Sequence, residues 1–280
     1  MEFEWGKIAV VTSITGNYDC LRFQNPGIEN IDYYCVTDDP NISDTAGWKV
    51  IRYEYPEYMN AKFKSFVARY NLLSMFNDYD YVIWLDASIE LKPDFAEIMK
   101  KFIMRKFDFS VVLYNGDITY NMHLKMINYS FLKNLGHEMA FENAQIKKYM
   151  SERNWDMKSR STENAAMRIY RNCDKCKWFN SLIYNDLIYL NRNYMAEPEK
   201  YGQMWHNFYY DELVCTYYMT LHSNMFKIFF LPDLVYNSDY MVKNVHGRQG
   251  TPCGDYKYQE KTSIRERRVF FGGKEIQNSL

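Results

Sequence analysis

At 280 residues, 47% hydrophobic and 25% charged, the chain has ordinary globular composition and enough length for one large domain or two small ones. Its 34 basic and 35 acidic side chains leave a formal net charge of -1, which excludes a broad field for nucleic acid or an anionic membrane; an anionic ligand must be held by local groups. The acidic start, Met1 to Lys7, lacks a signal-peptide pattern, no apolar run approaches the ~20 residues that cross a bilayer, and 6 cysteines suit a reducing compartment, so a soluble cytoplasmic protein is expected.

In chain order, Ile8 to Ile14 reads as a buried strand broken at Thr15-Gly16-Asn17. Asp32 to Thr37 reads as a second strand stopped by Asp38-Asp39-Pro40, and Trp48 to Tyr53 as a third ending before Pro56. From Asn60 as N-cap, the apolar positions Phe63, Phe66, Val67, Tyr70, Leu73 and Phe76 repeat at three and four, one buried face of a helix. Lys62, Ser65 and Arg69 share another face. Lys62 falls in the first turn, where free backbone amides favour anions, so it is either a phosphate contact or a solvated lysine.

Next, Tyr81-Val82-Ile83-Trp84-Leu85, a run suited to a strand buried on both faces, leads straight into Asp86. In an open parallel sheet, ligands gather beyond the carboxyl ends of the strands, which is where Asp86 would stand. Residues two apart in extended chain point the same way, so Asp86 and Ser88 could offer two oxygens to one divalent cation; capping of a turn is the plainer alternative. Pro93 starts a helix with the apolar stripe Phe95, Ile98, Met99, Phe102 and Ile103. Phe109 to Tyr114 then returns as a strand, closing a βαβ-type unit.

The region 121–180 reads as helical and polar. Cys173-Asp174-Lys175-Cys176 has the spacing of a zinc or redox pair but lacks a second such pair. Leu182 to Leu190 reads as a strand interrupted by Asn185-Asp186, a polar pair costly to bury unless it is bonded or lines a site. After the aromatic block from Trp205 to Tyr210 the spacing turns helical, and Asp211 and Glu212 sit at that helix's start, where its dipole favours their charge. The tail carries Lys243, His246 and Arg248, an imidazole and two cations on one glycine-flanked loop. With 26 Tyr and 6 Trp, rings are available to stack on sugar faces, although most simply fill a core. No repeat, low-complexity segment or linker divides the chain.

Three places, Val82-Ile83-Trp84-Leu85-Asp86-Ala87-Ser88, the stretch with Tyr184-Asn185-Asp186, and the block from Trp205 to Leu213, together resemble glycosyltransferases of the GT-A fold. The resemblance is closest to the glycosyltransferase-like family that includes plant mucilage-related transferases. It implies a single α/β domain, a GT-A-like Rossmann-type mixed and mostly parallel sheet flanked by helices. Residues 1–120 would be the nucleotide-sugar half, and 121–280 the acceptor half with a C-terminal metal and phosphate loop. The implied activity moves a sugar, from a UDP-linked hexose or pentose, to a glycan hydroxyl.

The family's metal motif is Asp-x-Asp, where this chain has Asp86-Ala87-Ser88. With His246 as third ligand, the set of oxygens and imidazole implied by the resemblance suits Mn²⁺ better than Mg²⁺. By the same carry-over Thr12, Thr15, Tyr18 and Asp38 meet the nucleotide, and Lys62 and Arg248 the diphosphate. Asn185, Asp186 and Trp205 meet the acceptor, and Asp211, with Glu212 as rival, is the base of an inverting transfer. Two other readings remain open: a catalytically silent carbohydrate-binding or scaffold protein, to which Ser88 in place of a second carboxylate points, and a nucleotidyltransferase.

Overall fold

The structure, a computed structural model, describes residues 3–16, 19–55, 59, 61–113, 149–155, 163–195, 211–232, 238–243, 269–271 and 274–276. Tyr18, Trp205, His246 and Arg248, and the side chain of Lys62, lie outside the described residues.

The first four predicted elements form as their patterns require: β1 (Ile8–Ser13), β2 (Ile31–Thr37), β3 (Trp48–Arg52) and α1 (Ala61–Met75). They are followed by β4 (Tyr81–Leu85), β5 (Ile89–Leu91), α2 (Phe95–Met104), β6 (Phe109–Leu113), β7 (Glu163–Asn164) and β8 (Met167–Arg171). The chain continues through α3 (Asp174–Met195), α4 (Asp211–His222), β9 (Ile228–Pro232) and β10 (Met241–Lys243), with a last antiparallel pair, β11 (Val269–Phe271) and β12 (Lys274–Ile276). Eight strands make one mixed sheet in the order β3-β2-β1-β4-β8-β6-β7, with β9 also pairing β6. Strands β3, β2, β1 and β4 run parallel, β8 is antiparallel to both β4 and β6, and β9 is parallel to β6.

Successive strand residues point to opposite faces, and both faces are apolar. Ala9, Val11, Val82, Trp84, Phe109 and Val111 pack with Phe66, Leu73, Phe179, Ile183 and Val214 beneath α1, α3 and α4. Ile8, Val10, Ile83, Leu85, Val112 and Ile169 pack with Phe95, Ile98, Met99 and Phe102 of α2. The sheet is therefore sandwiched between helices, and the carboxyl ends of β1 to β4 are left as the edge where side chains can gather.

Four expectations change. Leu182 to Leu190 is not a strand but the middle of α3. Along this helix Cys176, Phe179, Ile183, Leu187 and Leu190 are the buried apolar positions among the described side chains, spaced at three and four, a helical period that a nine-residue apolar run conceals. The helical expectation for 121–180 fails at β7 and β8, where Met167, Ile169 and Tyr170 are fully buried between β4 and β6. For the same reason β4, α2 and β6 do not close as neighbours: β8 is inserted between the two strands. Finally, Cys20 is disulfide-bonded, so the reducing compartment expected from cysteine number does not cover it; Cys35, Cys173, Cys176 and Cys215 are free. No helix among the described residues is long and apolar enough to cross a membrane.

Candidate functional site

Asp86 stands where the run that precedes it ends. Its amide donates to Ala166 O at 2.8 Å, which continues the pairing of β4 with β8 by one residue, and its side chain projects beyond the sheet edge. Oδ1 accepts from Trp84 Nε1 at 2.9 Å and from Arg69 Nη2 at 2.8 Å. The carboxylate is 29% exposed, and Oδ2 has no hydrogen bond within the protein among the described residues. Two positions on, Ser88 is fully buried, and its Oγ has no partner among the described residues.

The turn carrying these two oxygens is held from the N-terminal side. Arg22, paired with Asp19 at 3.0 Å, donates to the carbonyl of Ala87. Gln24 accepts from Leu91 N at 2.8 Å and donates to Ile89 O at 3.2 Å, so residues 22–25 run along β5 while β10 pairs with its other side. The Arg22 and Gln24 bonds to the backbone each satisfy a group that the turn would otherwise leave without a protein partner.

Arg69 is the hub. Its guanidinium pairs with Asp86 through Nη2 and with Asp211 through Nη1, and lies 4.7 Å from the Trp84 ring centroid. Burial alone would push its pKa down, but the carboxylates of Asp211 and Asp86 outweigh that and hold it well above its ordinary value. Asp211, the first residue of α4, has a side chain only 2% exposed and also accepts from Tyr70 OH at 3.0 Å. Glu212, half-buried, accepts through Oε1 from the amide of Ala165 at 3.2 Å, one residue from the carbonyl that receives Asp86 N–H. Of the two carboxylates expected at this helix start, Asp211 is thus joined to Asp86 through Arg69, while Glu212 bonds the backbone one residue from Asp86's partner carbonyl.

At the carboxyl ends of β2 and β3 a cleft of about 380 Å³ is lined by Asp38, Arg52, Tyr53, Glu54, Tyr55 and Lys64, with Thr37 at its base. Lys64 Nζ reaches Asp38 Oδ2 at 2.5 Å and lies 5.7 Å from the Tyr55 ring centroid, and the Tyr53 and Tyr55 rings are 4.7 Å apart. Arg52 clamps the loop after β2 through the carbonyls of Asp39, Pro40 and Ile42. Of the residues expected to meet the nucleotide, Asp38 lines this cleft, whereas Thr12 is fully buried in β1 and Thr15 is 5% exposed.

The residues expected to meet an acceptor divide. Asn185 is exposed on α3, and Asp186 is buried, accepting from Tyr149 OH at 2.7 Å and Arg153 Nη2 at 2.6 Å. Asp186 ties residues 149–155 to α3, so the pair is buried on one side only, as a helix allows and a strand interior would not. Sequence reasoning overlooked Arg69 as the link between Asp86 and Asp211, and Lys64 with the Tyr53-Glu54-Tyr55 stretch. The signals were present as a cation on the polar face of α1, next to the apolar stripe, and as alternating aromatics after a strand.

Among the described residues, Asp108, Cys173 and Cys176 form the group whose ligand atoms are spaced to hold an ion, all within 4.8 Å of one another. It lies at the opposite sheet edge from Asp86, where β6 begins and β8 ends. Its carboxylate is already engaged by Arg171, by Lys175 Nζ at 2.6 Å and by the Lys227 amide at 2.8 Å, so this is not the strand-end site the motif suggested.

Among solved structures, the chain is similar to the glycosyltransferase GlyE of Streptococcus pneumoniae TIGR4, at 14% identity and a TM-score of 0.37, over 83% of this chain and 46% of that one. It is also similar to mouse xyloside xylosyltransferase 1 in its apo form, at 8% identity and a TM-score of 0.40, over 80% of this chain and 85% of that one. This chain therefore spans less than half the length of the pneumococcal protein. Both likenesses are of chain arrangement alone. No family model and no curated protein matches the sequence.

Proposed function

We propose that this chain is a glycosyltransferase that takes a sugar from a nucleotide-sugar donor, UDP-linked by the family resemblance, and passes it to a glycan hydroxyl. The observation that carries the reading is Asp86: a carboxylate fixed through Oδ1 at the carboxyl end of β4, with no hydrogen bond to Oδ2 among the described residues, and followed two positions on by Ser88, whose Oγ has no partner among them. The neighbouring cleft supports it, because tyrosine rings and a lysine suit a base and a phosphate.

A divalent cation, Mn²⁺ by the donor set, fits these residues in charge and ligand type. Two carboxylates against one guanidinium leave one net negative charge at Asp86, Arg69 and Asp211, and Asp86 and Ser88 would supply oxygens, with His246 as the third ligand implied by the resemblance. When bound, the ion supplies neutralisation of the charge that develops on a departing diphosphate. Arg69 keeps Asp86 in position, and Lys64, with Lys62 and Arg248 by the resemblance, would add cationic contacts to the phosphates.

For the base of an inverting transfer, Asp211 and Glu212 take different parts in this reading. The Asp211 carboxylate faces Arg69 and Tyr70 and acts as a positioning residue; a carboxylate so paired is a poor proton acceptor. Glu212, half-buried beside the Ala165–Ala166 turn, is then the base that meets the acceptor hydroxyl. Asn185 and Trp205 keep their proposed place on the acceptor side.

The test is a donor screen that follows hydrolysis and transfer from several nucleotide sugars with and without Mn²⁺. Turnover of at least one donor, lost in Asp86→Asn, is expected. Binding of a glycan with no turnover of any donor would favour the silent carbohydrate binder, and release of pyrophosphate from a nucleoside triphosphate and a sugar phosphate would favour the nucleotidyltransferase. Product anomeric configuration checks the base: retention of the donor's configuration removes that role from Glu212 and Asp211 alike.

A further inference from the structure

We propose that Cys173 and Cys176 form a redox-active dithiol that exchanges with small-molecule disulfides and closes as an intrachain disulfide, at the sheet edge opposite Asp86. The two sulfurs stand 3.5 Å apart across the first turn of α3. A disulfide needs about 2.05 Å, so closure asks for an approach of roughly 1.5 Å.

The two thiols are not equivalent. Cys176 is fully buried and donates to the carbonyl of Asp108 at 3.3 Å, while Cys173 is partly exposed at the N-terminal end of the helix. An incoming disulfide can therefore reach one sulfur, with the other held directly behind it. Cys173 is also the better nucleophile. Its hydrogen bond with the Cys176 thiol, helped by the Cys176 amide and the charge of Arg171, outweighs partial burial and brings its pKa down to about 6. For Cys176, the same contact and burial push the thiol up, which keeps it protonated until Cys173 has reacted.

A structural metal fits this place less well. Both oxygens of Asp108 are already used, and the cations of Arg171 and Lys175 sit against them, so a divalent ion would enter beside two positive charges. Core packing accounts for the buried Cys176 but not for Cys173, which is partly exposed with its sulfur 3.5 Å from the other.

The exchange balances in two steps. The Cys173 thiolate attacks one sulfur of a disulfide RSSR, forming a Cys173–SR bond and releasing RS⁻. Cys176 then gives its proton to solvent and its sulfur attacks Cys173 Sγ, forming the Cys173–Cys176 bond and releasing the second RS⁻. Two electrons pass from the protein dithiol to RSSR.

The full chain is equilibrated in glutathione buffers of stepped oxidised-to-reduced ratio, quenched with acid, alkylated and read peptide by peptide by mass spectrometry. This readout is independent of glycosyl transfer and of the bond at Cys20. The segment holding Cys173 and Cys176 should pass from doubly alkylated to internally disulfide-bonded as the ratio rises. In Cys176→Ser, glutathione should accumulate on Cys173, and in Cys173→Ser it should not accumulate on Cys176. Both thiols staying alkylatable in wild type at the most oxidising ratio overturns the proposal, and needs no variant to fold. Equal glutathione uptake in the two variants, or stoichiometric Zn²⁺ binding that disappears in Cys173→Ser, overturns it as well.

Discussion

At the scale of single residues, Asp86 does two things that substitution can separate. Its Oδ1 satisfies the buried Trp84 indole and Arg69 guanidinium, and the carboxylate is partly exposed. Asp86→Ala leaves two buried donors without an acceptor and should cost about 1–3 kcal/mol for each donor in chemical unfolding. Asp86→Asn keeps an acceptor oxygen for both but loses the charge, so it should melt close to wild type while transfer falls by at least ~10²-fold. Equal activity of Asp86→Asn and wild type would remove the site from β4. Arg69 is the opposite case, a side chain whose loss leaves the buried Asp211 and the partly exposed Asp86 without their cation. Arg69→Met should destabilise by about 3–5 kcal/mol. Combining it with Asp211→Asn in a double-mutant cycle should reveal a coupling of about 0.5–3 kcal/mol, and strict additivity would show that the pair is not energetically linked.

Among the elements, α3 is where pattern and structure part. As a helix it buries Ile183 and Leu187 and exposes Asn185. Ile183→Ala or Leu187→Ala should cost about 2–5 kcal/mol and Asn185→Ala less than about 0.5 kcal/mol. Similar costs at 185 and 187, which would share a face in a strand, would argue for the strand. The start of β6 is joined to its neighbours through Asp108, whose amide donates to Lys227 O at 2.8 Å and whose carbonyl accepts from Arg171 N at 2.8 Å. Burial pushes the Asp108 carboxyl up, but hydrogen bonds from Lys175, the Lys227 amide and Arg171 prevail and hold it below the usual carboxylate range. A carboxylate with a depressed folded-state pKa contributes stability that is fully present above the unfolded value and lost as pH falls through the folded one. Asp108→Asn should therefore lower the melting temperature most at neutral pH, with the gap to wild type narrowing as pH falls below the unfolded carboxylate value of about 3.9. A gap that is constant down to acid pH would mean that the charge contributes nothing.

At the scale of the whole molecule, the Asp38–Lys64 cleft and the Asp86–Arg69–Asp211 cluster stand at the carboxyl ends of β2 and β4, which are separated in the sheet by β1, roughly 10 Å at ordinary strand spacing. A nucleoside diphosphate that bridges them should stabilise the fold by mass action, about 2.7 kcal/mol at a ligand concentration 100 times Kd. The thermal shift should shrink in Lys64→Met, and UDP that leaves the melting temperature unmoved at millimolar concentration would count against the cleft. Much of this edge was legible beforehand. Strands β1 to β4 and helices α1, α2 and α4 follow from apolar periods of two and 3.6, which are local properties of the chain, and a carboxylate straight after a buried strand marks the strand's end whatever surrounds it. What the sequence by itself could not determine depends on residues far apart. The insertion of β8 between β4 and β6 is a choice of partner, and α3 shows its period only over its full length. The pairing of Arg69 with Asp211 spans 142 residues and exists because α1 and α4 pack on the same face of the sheet. Local pattern decides which residues turn inward; only tertiary packing decides which buried charges meet, because a long-range ion pair depends on the placement of several elements at once.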